Sequence, residues 1–428
     1  MRKTLIALAF AFLASGCSTA PKRTVEVPAV CPVGPACPAC PPCPEVPVKP
    51  PEVKAIMKVA PENVPSFADA DSMKSLRKAA ELNLKYARKL SPSAIAYDFD
   101  GRKVGKAELE ASSAEFLKLL DLAGTPGELE ALVKERFDVY QMTGRDSTGT
   151  VVFSSYYEPT LDASPVRTEE YKYPLYAKPP DMISLNLEEF NEKFRGERLT
   201  GMMKGTQLVP YLDRDAIDFR GALDGKGLEL AWLTNRADIM DLHIEGSGRL
   251  RYPDGKEIKA LFAATNSLKF KGWLTALVEA GAMTREGLSH EKGKEYIEKN
   301  PEKERAIMTA NRRYTFFRLQ EITDPEEGPD GTYGMPLVGW RSVAVDNNLV
   351  PMGTLAFMRA TIPDVTDDGG MLGKKQDARF VFCQDTGGAI KGPGRIDFFS
   401  GRGKKARSFA FKLWDTGTIH LLVLKEKK

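Results

Sequence analysis

The chain has 428 residues, 61 of them basic and 58 acidic, for a formal net charge of +3. That balance lacks the concentrated basic character of a nucleic-acid binder. The three histidines, His243, His290 and His420, are scattered and fall in no H-E-x-x-H-type spacing, so neither a zinc hydrolase nor a Ser-His-Asp triad is supported. No Gly-x-Gly-x-x-Gly follows a strand and no P-loop occurs, which leaves carboxylate chemistry with no cofactor and no metal as the expectation.

At the N-terminus Met1-Arg2-Lys3 is a positive n-region, and Leu5 to Leu13 is apolar but too short to span a bilayer as a mature helix. Leu13-Ala14-Ser15-Gly16-Cys17 resembles a bacterial lipoprotein signal. The resemblance implies removal of residues 1–16 and lipidation of Cys17. Ser18 after the cysteine implies sorting to the outer membrane, facing the periplasm; an ordinary cleaved signal peptide is the alternative. A multiply acylated cysteine anchors stably at about 0.8 kcal/mol per buried methylene. No later stretch approaches ~18 consecutive apolar residues, so no transmembrane helix is expected.

Residues 17–62 are dense in proline and read as an extended tether, partly polyproline II. Cys31, Cys37, Cys40 and Cys43 are spaced by multiples of three and would line one edge of that helix. Neighbours three apart would sit about 9 Å from each other, beyond disulfide reach on a straight chain. Cys–Pro low complexity, cross-linking between molecules and metal chelation remain the three readings.

The remaining residues suffice for two domains with their own cores. Helices are expected over Ser72 to Leu90 and Lys106 to Leu122, and a third from the Thr125-Pro126-Gly127-Glu128 capping box. Asp98-Phe99-Asp100-Gly101 reads as a turn rather than a calcium loop. Thr148 to Tyr157 turns extended. Strands are expected over Asp238 to Ile244, Gly248 to Tyr252 and Glu257 to Phe262, the last two joined by a turn at Asp254-Gly255. Trp273 to Ala280, Glu291 to Glu298 and Pro301 to Asn311 read as helices, Tyr314 to Arg318 as a strand, and Asp324 to Gly331 as a surface loop.

Near the C-terminus, Arg379 to Cys383 reads as a buried strand, with Cys383 a buried free thiol. A loop containing Gly387, Gly388, Lys391, Gly392 and Gly394 follows, and Arg395 to Phe399 resumes the extended pattern. Arg395, Asp397 and Phe399 then share one face. A half-buried carboxyl on such a strand has a raised pKa, and a second carboxylate such as Asp385 raises it further, as a general acid requires. A structural hairpin whose aspartates cap turns is the alternative.

The run Asp385 to Phe399 resembles the "3D" segment, named for three aspartates, of the MltA-type membrane-bound lytic transglycosylases. Arg341-Ser342-Val343-Ala344-Val345-Asp346 with Val350-Pro351-Met352-Gly353 resembles the segment that holds the first aspartate. Tyr156-Tyr157-Glu158-Pro159, Tyr173 to Pro180 and Gly246-Ser247-Gly248-Arg249 match further family motifs in order, from about Ser154 onward. Ser154-Ser155 stands where the family has Thr-Gly, and Glu245 where it has glutamine.

The resemblance implies a mainly β fold with peripheral helices. A double-psi β-barrel (63–156 and 305–428) would be interrupted by an inserted β domain (157–304), with a glycan groove between them. It implies cleavage of the β-1,4 bond between N-acetylmuramic acid and N-acetylglucosamine in peptidoglycan. Asp397 would act as acid and then base, leaving 1,6-anhydro ends. Asp385 would hydrogen-bond and tune Asp397, while Asp346 supports the site and Lys391 contacts substrate or screens the carboxylates. Tyr156, Tyr157, Gly246, Ser247, Gly248, Arg249, Gly387 and Gly388 would bind glycan. Two alternatives are an expansin-like protein that binds peptidoglycan without cutting it, and a hydrolytic muramidase whose second carboxylate is Glu158 or Glu245.

Overall fold

The structure, a computed structural model, describes residues 54–426 apart from 72, 93, 195, 196 and 287. The signal segment, Cys17 and the four tether cysteines lie outside the described residues. In chain order the elements are β1 (Ile56–Lys58), α1 (Met73–Lys89), β2 (Tyr97–Phe99), β3 (Arg102–Val104), α2 (Lys106–Leu122), α3 (Pro126–Arg136), β4 (Phe137–Met142) and β5 (Val151–Glu158). A middle section follows: β6 (Thr160–Ser164), β7 (Tyr173–Tyr176), β8 (Ile183–Asn186), β9 (Arg198–Lys204), β10 (Gln207–Pro210), β11 (Glu229–Leu233), α4 (Arg236–Glu245), β12 (Gly248–Arg251), β13 (Glu257–Thr265), α5 (Trp273–Glu279), α6 (His290–Lys299), α7 (Pro301–Thr309) and β14 (Thr315–Glu321). The chain ends with β15 (Ser342–Ala344), β16 (Thr354–Val365), β17 (Met371–Asp385), β18 (Arg395–Arg402), α8 (Gly403–Lys412) and β19 (Trp414–Leu424).

Six of these strands close into a barrel in the order β19-β16-β17-β15-β18-β5, with β5 pairing back onto β19. Strands β4 and β1 extend it beyond β19. β19 serves two partners in turn: Trp414 to Gly417 pair with β5, and His420 to Leu424 pair with β4. At Gly417 the strands approach so closely that a Cβ would run into the Arg359 carbonyl and Ala360.

Side-chain alternation sorts the barrel into two cores. Val381, Cys383, Ala356, Met358, Val343, Ile396, Phe398, Phe153 and Leu421 fill the interior. Phe380, Phe382, Leu355, Phe357 and Leu422 point outward, where Leu76 and Ala80 of α1, Phe116 and Leu120 of α2, and Leu129 and Val133 of α3 cover them. The helix at α1 forms because Leu76, Ala79, Ala80, Asn83, Leu84 and Ala87 recur on one buried stripe. Thr125 caps α3 by accepting from the Glu128 N–H, as its capping box requires.

The middle section builds a six-stranded sheet in the order β14-β13-β12-β6-β11-β7 and a three-stranded sheet β10-β9-β8. Only Pro159 separates β5 of the barrel from β6 of this sheet. Helices α6 and α8 join the two parts: the His290 ring stacks on Phe411 at 4.0 Å, and Arg407 pairs with Glu291 at 2.5 Å.

Two expectations need correction. Asp238 to Ile244 is not a strand but lies in α4. Asn235 accepts from the Asp238 N–H as N-cap, and Gly246, with φ +81°, ends the helix in the left-handed conformation. Met240 and His243 are buried three residues apart, a spacing that outweighs the local β-branched character. The extended tether also stops short of residue 62, because Ile56–Lys58 pairs with β4.

Arg341 locks the N-terminal segment to the barrel. It is fully buried and makes a bidentate pair with Asp69 at 2.7 and 2.9 Å. Removing one partner leaves an unpaired buried charge. Arg341→Met is therefore expected to lower the unfolding free energy by about 3–5 kcal/mol, read from a urea titration of the full chain.

Candidate active site

The site is built by one irregularity in strand pairing. Ser342 and Val343 of β15 lie opposite Phe382 and Cys383 of β17, but Ala344 lies opposite Asp385. Gln384 is bulged out of the pairing, which turns Asp385 to the outer face beside Ala344. On its other side Ala344 pairs with Asp397 of β18, Asp397 pairs with Ser154 of β5, and Ser154 pairs with Trp414 of β19. Directly paired residues project to the same face. Asp385, Ala344, Asp397, Ser154 and Trp414 thus form one row across five strands, with the two aspartates on either side of Ala344 and about 10 Å apart at the backbone. The bulge is held from inside: Gln384 is fully buried, accepts from the Ser342 hydroxyl at 2.6 Å and donates to Asn83 at 3.3 Å.

Asp397 accepts a hydrogen bond from the Ser154 hydroxyl at 2.7 Å. Burial pushes its carboxyl up to about 6; Ser154 and the Arg395 guanidinium pull it down and Asp385 pushes it up. Arg395 itself donates to Ser154 at 3.2 Å. The expected hydrogen bond from Asp385 to Asp397 is not made. Asp385 accepts instead from the Thr332 N–H and hydroxyl, both at 2.9 Å, and from the Tyr156 hydroxyl at 2.7 Å. Its own carboxyl is raised by burial, and these bonds oppose the rise. The Asp385 charge is what pushes the Asp397 carboxyl up from this side.

Asp346 is buried and ties two loops together. It accepts from the Asn348 N–H at 3.1 Å and from the Gly392 N–H at 2.7 Å. Lys391 is exposed and lies 3.9 Å from Asp346, so its charge faces that carboxylate. Gly387 and Gly388 sit in the same loop, and a Cβ on Gly388 would collide with the Arg313 guanidinium. Arg313 is anchored to the Leu268 carbonyl at 2.9 Å.

The upstream motifs divide. Tyr156 is part of the site, its ring beside Phe399 at 5.2 Å and its hydroxyl on Asp385. Tyr157, expected on the groove wall, is instead buried with Phe411 packed against its ring, so no face is open to a sugar. Its N–H donates to Glu245 at 3.1 Å. Glu245 has its carboxyl held well above the usual range, first by burial, then by Asp241 and Asp397. Arg249 is likewise not a glycan contact. It is buried, pairs with Glu158 at 3.2 Å and donates to the Pro325 and Glu327 carbonyls. Gly246 ends α4, and Gly248 packs against Leu242 and Pro159, so these two and Arg249 shape the backbone rather than line a binding face. Ser247, between them, is half-buried. Glu158 is sealed inside its ion pair and is itself raised by burial.

Four contributors escape a reading by motif: Thr332, Arg313, Ser154 as a partner of Asp397, and Trp414. Thr332 and Arg313 belong to loops whose approach to the site depends on the whole fold. Ser154 carried a signal, since it alternates with Tyr156 on one strand face. Among the described residues, no group of three or more His, Cys, Asp or Glu side chains is placed to hold a metal ion.

The fold and site are those of a double-psi barrel protein with a second β section inserted into it. The family model "MltA specific insert domain" matches residues 152–318 and the "3D domain" model matches residues 341–423. The "Membrane-bound lytic murein transglycosylase A" of Escherichia coli K12 is 28% identical over 271 residues, 63% of this chain and 64% of that protein. The Vibrio cholerae protein of the same name is 27% identical over 282 residues, 65% of this chain and 67% of its own. The match thus spans just under two thirds of the E. coli relative's length. A crystal structure of the membrane-bound lytic murein transglycosylase from Agrobacterium tumefaciens superposes with a TM-score of 0.67 at 26% identity, over 86% of this chain and 98% of that one. MltA from Neisseria gonorrhoeae gives 0.67 at 26%, over 87% and 93%. The chain thus carries the MltA-specific insert domain and the 3D domain in order.

Ser154 lowers the Asp397 pKa and Asp385 raises it. Carbon-13 NMR titration of the Asp397 carboxyl should therefore show its midpoint moving up by roughly one pH unit in Ser154→Ala, the worth of one bond to a charged group. In Asp385→Asn the midpoint should move down. The opposite signs distinguish this arrangement from a purely structural pair.

Proposed function

We propose that this chain is a lytic transglycosylase that cleaves the β-1,4 bond between N-acetylmuramic acid and N-acetylglucosamine in peptidoglycan. The observation that carries the reading is the Asp397 carboxyl, kept protonated toward neutrality by burial yet hydrogen-bonded and partly open at the end of the cross-strand row. A general acid with a pKa near 6 combines a populated acid form with a ready proton. Asp397 protonates the glycosidic oxygen. The resulting carboxylate then takes the proton of the muramoyl 6-hydroxyl, whose oxygen attacks the anomeric carbon and closes a 1,6-anhydro ring. The proton returns to Asp397, and no water is consumed.

Asp385, fixed by Thr332 and Tyr156, keeps negative charge near Asp397 and favours its acid form. A hydrolytic muramidase requires a second, ionised carboxylate. Glu158 is bound up with Arg249, and burial pushes the Glu245 carboxyl well above the usual range, which disfavours its ionised form, so neither favours that route. The relatives named as membrane-bound support membrane association of this chain, and the lipoprotein-like signal ending at Cys17 supports a lipid anchor there, in the outer membrane.

Mass spectrometry of purified peptidoglycan incubated with the full chain should show anhydro-muropeptides. Asp397→Asn should reduce them by about 10²–10⁴-fold or more. Reducing ends would instead point to hydrolysis, and retention on peptidoglycan without products to a binding protein. Because the acid form of Asp397 is lost as pH rises through about 6, the rate should fall across that value on the alkaline side. Replacement of Cys17 by alanine should move the protein from the membrane to the soluble fraction of a fractionated cell.

A further inference from the structure

We propose that Trp414 is an aromatic platform that holds one sugar ring of a bound glycan beside Asp397; the inference rests on the glycan-cleaving reading above. Trp414 opens β19 directly opposite Ser154, and Ser154 lies opposite Asp397. Indole, hydroxyl and carboxyl therefore stand side by side on one face of the barrel. The Trp414 and Asp397 backbones are two strand spacings apart, about 10 Å. A sugar on the indole sits next to the reacting centre rather than on a distant surface.

The exposure of Trp414 is the second observation. It is 64% exposed, whereas Trp273 is buried and Trp340 is packed against Phe398 and Phe409. Large aromatic side chains gain by burying area, and an open one at the rim of a polar site marks a binding surface. The ring is not left to swing. The Arg395 guanidinium lies over it at 4.9 Å from the centroid and also donates to Ser154. Arg395 thereby joins the indole to the group that holds Asp397. A β-1,4-linked N-acetylhexosamine has equatorial substituents, so its axial C–H bonds form an apolar face. That face matches an indole, while its hydroxyl and amide groups remain free for polar partners.

The test uses the full chain in detergent carrying Asp397→Asn, titrated with the β-1,4-linked N-acetylglucosamine hexamer by calorimetry and tryptophan fluorescence. Trp414→Ala should weaken binding roughly tenfold, as loss of one aromatic stacking contact predicts. Trp414→Phe should keep most of the affinity but lose the fluorescence response to the hexamer. In the active chain Trp414→Ala should raise KM for peptidoglycan more than it lowers kcat. Affinity within twofold of the parent in Trp414→Ala would overturn the platform, while anhydro products from the unsubstituted chain would leave the glycan-cleaving reading standing. An Asp397→Asn chain that does not bind the hexamer, with no products from the unsubstituted chain, would sink both.

Discussion

The site depends on one extra residue in β17. Without the bulge at Gln384, strand alternation would place Asp385 on the interior face with Cys383, among the apolar side chains of the barrel core. With the bulge, Asp385 and Asp397 share the outer face on either side of Ala344. The deviation is costly to hold, since Gln384 takes a buried position inside the fold. Its amide is satisfied by Ser342 and Asn83, and Asn83 also donates to Ser113 and the Gly353 carbonyl. Helices α1 and α2 thus do more than cover phenylalanines; their buried polar atoms stabilise the register on which the aspartates depend.

Much of this architecture is legible in the amino-acid order, and the exceptions have physical causes. The α2 span, the α3 cap, the Asp254-Gly255 hairpin and the alternation in β18 follow from local chemistry that tertiary packing reinforces. The segment Asp238 to Ile244 misleads because Ile239, Leu242 and Ile244 favour a strand locally, whereas burial of Ala237, Met240 and His243 against the neighbouring sheet and helices selects a helix. The motif Gly246-Ser247-Gly248-Arg249 is distinctive without lining the site, because a left-handed cap, a close strand approach and a buried arginine constrain sequence as strongly as a ligand does. Thr332 lies in a segment of loop composition, and nothing local reveals that the fold delivers it to Asp385.

The two departures from the family pattern acquire a shared sense. Ser154 supplies the hydroxyl that Asp397 needs, and Ser155 occupies ordinary extended backbone, donating to the Phe398 carbonyl at 2.6 Å. No positive φ is required there, so the usual glycine is dispensable. Glu245 in place of glutamine brings a carboxyl to the back of the site, and burial pushes it well above the usual carboxylate range. Its oxygen accepts from the Tyr157 N–H, as the carbonyl of a glutamine side chain there would.

The way the barrel closes bears on the order in which the protein can be made. β5 supplies Ser154, but its partner Asp397 lies 243 residues later, and the strand that seals the ring, β19, follows later still. Contacts so distant in sequence form late and slowly, because loop-closure entropy must be overcome before they contribute. A chain still emerging from the ribosome has β5 and the whole inserted sheet before it has β18 or β19. The acidic constellation cannot exist on such a chain, and proteolytic loss of the final strand would dismantle it. The topology itself confines the site to chains in which β18 and β19 have already been added to the barrel.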